Sequence, residues 1–281
     1  ILNFNKFKDI KPYFFLLSYL IIGFIPYFDT IDIIGSQWFY LSFINIVYFI
    51  FHLRNKFFVE SVFTILKSPP LKFYLLFIFF AFLSLFYTYN LSISVVDFSR
   101  ILIVFFSIIN ISFYFLNKKL SLYNFSFLIV SVLFFEVIYS FYPLFIYFLK
   151  YPLSELDWVQ LPSGLKGIAG NKNVLASNVV FKLPFVFYLI YKSKGAYLYL
   201  FSFILYLSLL LIYLLTARAS YISCVIITSL FYLIIFTRVS LKKFFISYIS
   251  PFFLLAVSIF FVNSLSSMVS PSKLNTLNII D

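Results

Sequence analysis

The residues best suited to chemistry lie in one polar segment near the middle of the chain, GLKGIAGNKNVLASNVVFKLP, at positions 164–184. Glycines there allow conformations in which consecutive N–H groups converge, and a helix N-terminus that follows attracts negative charge. The segment therefore predicts an anion site, for instance for a phosphate. Its glycines and the polar residues after them are Gly164, Gly167, Gly170, Asn171, Lys172 and Asn173.

The composition shows what kind of protein must position this segment. Of the 281 residues, 63% are hydrophobic and only 11% are charged, whereas soluble domains average about 25% charged residues. The apolar runs are long and continuous, which favours helices over a barrel. We predict an all-α, polytopic membrane protein with a single transmembrane domain over residues 1–281. Nine spans are predicted, at 12–28, 35–53, 71–88, 98–116, 124–149, 173–191, 196–215, 219–236 and 244–262.

Lysines and arginines predict the orientation. Fourteen of the 21 fall on one side of the predicted spans, so that side is expected to be cytoplasmic. The N-terminus is then inside, and residues 263–281 begin a loop on the outer side that this sequence truncates. The segment 56–67 is too short to span and predicts an amphipathic interfacial helix. The net charge of +12 reflects this topology, so nucleic acid is not an expected partner, and membrane lipids are.

Several classes of site are excluded by composition. Cys224 is the only cysteine and lies in a predicted span, so no intrachain disulfide and no Cys/His metal site is expected. His52, the only histidine, is predicted to snorkel at the end of the second span. No nucleotide-binding motif is present, and no cofactor is predicted. The only methionine is Met268, which indicates that the sequence is a fragment.

Two arginines stand at the predicted outer face. Arg218 precedes the eighth span, where it either anchors to lipid phosphate or clamps a substrate phosphate through its guanidinium fork. Arg100 opens the fourth span and has the same alternatives. Asp97, three residues earlier, lies on the same helix face and can neutralise Arg100.

Two charges are predicted to lie deep in the membrane. Lys182 follows the start of the sixth span by about 14 Å of helix, and Glu136 is central in the preceding span. Intramembrane charges are costly and usually paired, so we predict a contact between Glu136 and Lys182. The pair would serve either as structural glue or as part of a reaction cavity. Pro184 is expected to kink the helix beside it.

These residues resemble a known family. The run GNKNVLA from Gly170 to Ala176, then Pro184, and the run TARAS from Thr216 to Ser220 are similar to motifs of the O-antigen ligase and O-antigen polymerase superfamily. Members typically show G-N-x-N-x-x-A at a helix start, a later proline, and S-R-[AG]-[AGS] at the outer end of a later helix. Ala217 departs from the pattern, because many members have serine or another polar residue there. This departure puts a role for residue 217 in doubt, but not one for Arg218.

The resemblance implies a metal-independent, inverting glycosyltransferase of the GT-C type in the bacterial inner membrane. It would transfer a glycan from undecaprenyl diphosphate, at the periplasmic face, to a hydroxyl of lipid A core, of a glycan repeat or of a protein. The general base is a periplasmic histidine in the ligases and is expected beyond Asp281; Glu155 and Asp157 are possible substitutes. The diphosphate-binding residues would be Arg218, Lys172, Arg100, Gly170, Asn171 and Asn173.

Two other functions remain open. A secondary transporter or lipid flippase would use Glu136 and Lys182 as a coupling pair, with Pro184 marking a broken helix. The sequence has no evident inverted repeat to support that function. A non-catalytic subunit of a polysaccharide export complex would need no cationic cavity.

Overall fold

A computed structural model describes residues 11–25, 35–53, 55–116, 120–150, 164–165, 167, 171–235, 241–245 and 249–268. Within these ranges nearly every residue is helical and none lies in a strand, so the predicted all-helical class is confirmed. The helices are α1 Lys11–Leu20, α2 Gly35–Leu53, α3 Lys56–Leu66, α4 Pro69–Ser84, α5 Leu91–Leu116, α6 Leu122–Lys150, α7 Lys172–Lys192, α8 Ala196–Leu215, α9 Arg218–Ile235, α10 Leu241–Phe244 and α11 Ser250–Met268. Short 3-10 turns extend α1 through Ile21–Phe24 and α4 through Leu85–Tyr87.

Five of the described helical segments are long and apolar enough to cross a membrane. The protein is therefore membrane-embedded. The other predicted spans fall on helices that do not meet this criterion of length and hydropathy within the described residues, so a nine-span topology stays a prediction. The five are Pro69–Tyr87, Leu91–Leu116, Leu122–Ile146, Lys172–Lys192 and Ala196–Leu215.

Helix α5 begins at Leu91, seven residues before the predicted start at 98. The reason is local: the side-chain oxygen of Asn90 accepts a hydrogen bond from the N–H of Ile93 at 3.2 Å, as a helix N-cap does. Arg100 consequently lies in the third turn of the helix and not at its entry. The predicted short helix after the second span is confirmed as α3, capped by Asn55.

The chain divides into two compact units, Ile1–Phe125 and Ser126–Asp281. A polar network holds the first unit together. Asn45 accepts from the hydroxyl of Tyr19 at 2.7 Å and donates to the hydroxyl of Ser107 at 2.8 Å. Asn110, which is fully buried, donates to Asn45 at 3.2 Å. Such bonds between apolar helices replace the hydrophobic driving force that lipid removes.

His52 does not snorkel at the interface as predicted. Only 4% of its surface is exposed, and its ring lies 4.8 Å from that of Phe113 and 5.4 Å from that of Phe58. The prediction was wrong because α3 folds back and brings Phe58 over the end of α2. The hydropathy of α2 alone does not show this contact.

The second unit is built around α7 and α8, which pack against each other. Helix α7 buries apolar residues three and four positions apart, the spacing that puts side chains on one helix face. These buried residues are Leu175, Ala176, Val179, Val180, Leu183, Val186, Phe187, Leu189 and Ile190. The first turn of α7, which carries the predicted anion-binding residues, therefore stands on a rigid support.

Candidate functional site

The first turn of α7 is organised by Asn171. Its side-chain oxygen accepts a hydrogen bond from the N–H of Asn173 at 2.8 Å, so Asn171 is the N-cap of the helix. Lys172 is the first helical residue, one position before the predicted start. The cap satisfies one of the N–H groups in the first turn that have no partner within the helix. Gly170 lies outside the described residues.

Arg218 lies at the same end of the second unit as Lys172. Tight turns join α7 to α8 and α8 to α9, so α7 and α9 run parallel. The rings of Phe187 and Phe231 stack with centroids 4.5 Å apart. Phe187 comes 15 residues after the start of α7 and Phe231 comes 13 after the start of α9. The two helices are therefore nearly level where they begin.

The turn before Arg218 is strained. Thr216 adopts a left-handed conformation with φ of 52°, which is rare for a β-branched residue. Its N–H donates to the carbonyl of Tyr213 at 3.2 Å, and the hydroxyl of Tyr221 donates to the same carbonyl at 2.6 Å. Ala217 is only 4% exposed, whereas Arg218 is exposed. The left-handed backbone at Thr216 sets the direction in which α9 starts. Backbone strain of this kind is common at functional sites.

The glycine-rich segment before α7 is docked against the helices at Gly167. Its φ is +58°, and a Cβ added there would lie 2.6 Å from Oγ of Ser140 and 3.2 Å from a methyl group of Leu175. A larger residue here would be strained by this backbone conformation and would crowd Ser140 and Leu175. Leu165 beside it is 1% exposed. By contrast, a Cβ on Gly164 would meet nothing within 4 Å.

The predicted contact between Glu136 and Lys182 is confirmed. Nζ of Lys182 forms an ion pair with Oε2 of Glu136, and the two side chains are 17% and 6% exposed. Lys182 is ten residues into α7, about 15 Å along its axis, and Glu136 is at the midpoint of α6. Ser140 lies one helical turn further along α6 and donates to the carbonyl of Glu136 at 2.7 Å. Gly167 therefore packs one turn from the buried charge pair.

The other end of α7 is closed by a lysine. Nζ of Lys243 donates to the carbonyls of Tyr191 and Ser193 at 2.7 and 2.8 Å, which compensates the negative end of the helix. Burial lowers the pKa of Lys243, and the positive charge of Lys194 lowers it further.

Arg100 belongs to the first unit and has partners there. Its Nη1 donates to Asp97 at 3.0 Å, and its guanidinium carbon lies 5.8 Å from the ring centre of Trp38. Within the described residues, the charge of Arg100 is therefore neutralised by Asp97. This neutralisation is one of the alternatives predicted from the sequence. The remaining anion-binding candidates, Lys172, Asn171, Asn173 and Arg218, all belong to the second unit.

Sequence patterns did not reveal the part played by Ser140 or Thr216. Ser140 follows Glu136 by four residues, which places both on one helix face, and this spacing was the available signal. Nothing in a sequence marks Thr216 as left-handed. Together, two level helix N-termini and two cations create positive potential at one end of the second unit, with a paired charge buried below. This arrangement can hold an anion.

Comparisons of the chain with family models, with curated proteins and with solved structures found no match.

Proposed function

We propose that this chain is the donor-binding part of a membrane glycosyltransferase similar to O-antigen ligases. The donor would be a glycan on undecaprenyl diphosphate, bound at the periplasmic face of the inner membrane. The acceptor would be a hydroxyl of lipid A core, of another glycan repeat or of a protein. The enzyme would be multi-pass and of the GT-C type.

The proposal rests on the observation that α7 and α9 begin at the same end of the second unit. Lys172, Arg218 and the N–H groups after Asn171 lie at this end, above a pair of apolar helices. A lipid-linked diphosphate needs this combination, because its phosphates are anionic while its polyprenyl chain stays in hydrocarbon. The motif residues of the family resemblance fall at the same two helix starts.

The chemistry assigned to these residues is stabilisation of the leaving group. The acceptor oxygen attacks the anomeric carbon from the face opposite the diphosphate, and the bond from that carbon to the phosphate oxygen breaks. The electron pair passes to the diphosphate, whose growing charge the guanidinium of Arg218, the ammonium of Lys172 and the helix N-termini stabilise. The acceptor proton goes to a general base; Glu155 and Asp157, the substitutes that the sequence offers for this role, lie outside the described residues.

Transfer of glycan from the lipid diphosphate by purified full-length protein tests the assignment. We expect Arg218→Ala to lower kcat/KM by roughly 100-fold, the loss typical of removing one charge-stabilising donor. Arg218→Lys should retain part of the activity, because lysine keeps the positive charge but cannot bind a phosphate bidentately as a guanidinium does. Lys192→Ala is the matched control, since Lys192 is exposed at the opposite end of α7. Wild-type transfer by Arg218→Ala would refute the clamp.

The buried ion pair supports a second candidate, a secondary transporter or flippase. Buried charges within membrane helices commonly couple substrate movement to ions. If Glu136→Gln abolishes ion-coupled uptake in proteoliposomes while glycan transfer by the wild type is undetectable, the transporter replaces the transferase. Transfer that depends on Arg218 would exclude it as the principal activity.

A further inference from the structure

A groove in the first unit runs between α2 and α5, with a volume of about 290 Å³. Its apolar wall includes Ile46, Phe49 and Phe106, and Ser42, Ser99 and Asn45 also line it. The two serine hydroxyls each donate to a carbonyl of their own helix at 2.8 Å, and the side chain of Asn45 is bonded to the hydroxyls of Tyr19 and Ser107. Because these polar groups are satisfied, the groove suits an occupant that is a hydrocarbon chain.

Two charged residues lie close in sequence to Ser99, which lines the groove. Trp38 lies one turn before Ser42 on α2, and Arg100 follows Ser99 on α5, with the guanidinium carbon of Arg100 5.8 Å from the centre of the Trp38 ring. Arg100 also pairs with Asp97 at 3.0 Å, and 26% of the arginine side chain and 59% of the aspartate side chain are exposed. A cation and an anion that are both accessible therefore lie next to this lining residue on α5.

We propose that this groove binds a phospholipid with a phosphoethanolamine headgroup. One acyl chain lies along the groove, the phosphate contacts Arg100 and the ammonium contacts Asp97. An anionic headgroup would satisfy the arginine but would place no cation on the aspartate. A choline headgroup carries the positive charge but has no N–H to donate to the carboxylate. Complementary charge on both partners therefore selects the zwitterionic amine.

The proposal does not depend on the transferase and assigns Arg100 to a bilayer lipid instead of a glycan donor. Its occupant is a component of the surrounding membrane, consistent with the exposed apolar side chains of α2, Phe39, Phe43 and Ile50, which are 76%, 59% and 56% exposed. Helix α5 is one of the helices apolar enough to cross a membrane. The lipid would fill the groove on the hydrocarbon side of the α2 and α5 pair.

The test measures binding of three phospholipids with identical acyl chains to the purified full chain by native mass spectrometry. Phosphatidylethanolamine should bind roughly two- to fivefold more tightly than phosphatidylglycerol or phosphatidylcholine, the range expected for one partly exposed charge contact. Asp97→Asn should reverse the order of phosphatidylethanolamine and phosphatidylglycerol, because the site becomes cationic. Arg100→Gln should weaken all three. Glu60→Gln, an exposed carboxylate of α3 in the same unit, should leave the order unchanged.

A second variant tests the groove separately from the headgroup contacts. Ser99→Leu adds carbon atoms to the groove wall and should weaken all three lipids by a similar factor without changing their order. Equal binding of the three lipids to the wild type, or an order that Asp97→Asn does not change, would overturn the headgroup assignment. Unaltered binding to Ser99→Leu would overturn the placement of the acyl chain.

Discussion

The ion pair between Glu136 and Lys182 leads to a quantitative prediction for stability. Glu136→Gln leaves the ammonium of Lys182 without its carboxylate, and Lys182→Met leaves the carboxylate of Glu136 without its ammonium. The side chains are only 6% and 17% exposed, so water solvates neither charge well. We expect both single variants to be strongly destabilised, and the double variant, which buries no charge, to recover much of the loss.

The magnitude follows from this burial. Removing one partner of a buried pair costs about 3–5 kcal/mol, whereas replacing the whole pair by neutral side chains is often close to neutral. A loss of 1 kcal/mol lowers Tm by about 2–4 °C in a unit of 150–250 residues. Each single variant should therefore lower Tm by roughly 6–20 °C. The double variant should lose no more than about 2 kcal/mol, since direct polar contacts between membrane helices average about 0.6 kcal/mol.

The assay is thermal unfolding of the purified protein in one detergent, analysed as a double-mutant cycle. Glu60→Gln and Lys192→Met are matched controls, because they remove the same charges from exposed positions and should change stability by less than about 0.5 kcal/mol. The reasoning fails if the losses of the two single variants simply add in the double variant. It also fails if the single variants behave like the exposed controls.

Two further predictions concern the ends of α7. Gly167→Ala should lose about 2–4 kcal/mol, because it adds a clash to a left-handed residue, while Gly164→Ala should lose less than about 0.5 kcal/mol; equal Tm values for the two variants would contradict the docking of Gly167. The lowered pKa of Lys243 means that the unfolded chain binds this proton more tightly, so the contribution of Lys243 to stability should grow as pH rises towards 10.5. Lys243→Met should lower Tm at pH 8, and the difference in Tm between the wild type and the variant should increase between pH 8 and 10.5; a constant difference would refute the assignment.

Features that depend on local spacing were predictable from the sequence. Hydropathy located the helices because a backbone in hydrocarbon must satisfy its own hydrogen bonds. The depth of Lys182 and of Glu136 followed from the rise per residue, and the cost of an unpaired charge predicted their contact. The start of α7 was found within one residue, because Asn171 is a typical N-cap.

Features that depend on distant residues were not predictable in this way. The burial of His52 requires Phe58 and Phe113, which other helices supply, and the pairing of Arg100 with Trp38 requires the register between α2 and α5. Arg100 was predicted to bind an anion from its side of the membrane alone, and its contacts with Asp97 and Trp38 lie within the first unit.

The sequence by itself determined that this protein is helical and membrane-embedded, and which charges it must bury, because hydropathy, helix rise and desolvation act through local composition. Only the tertiary structure decided that α7 and α9 begin level with each other, that Gly167 packs against Ser140, and that the guanidinium of Arg100 lies over the ring of Trp38. Those results depend on side-chain packing between helices that are far apart in the chain. The periodicity of an amino-acid sequence does not encode the register between two packed helices.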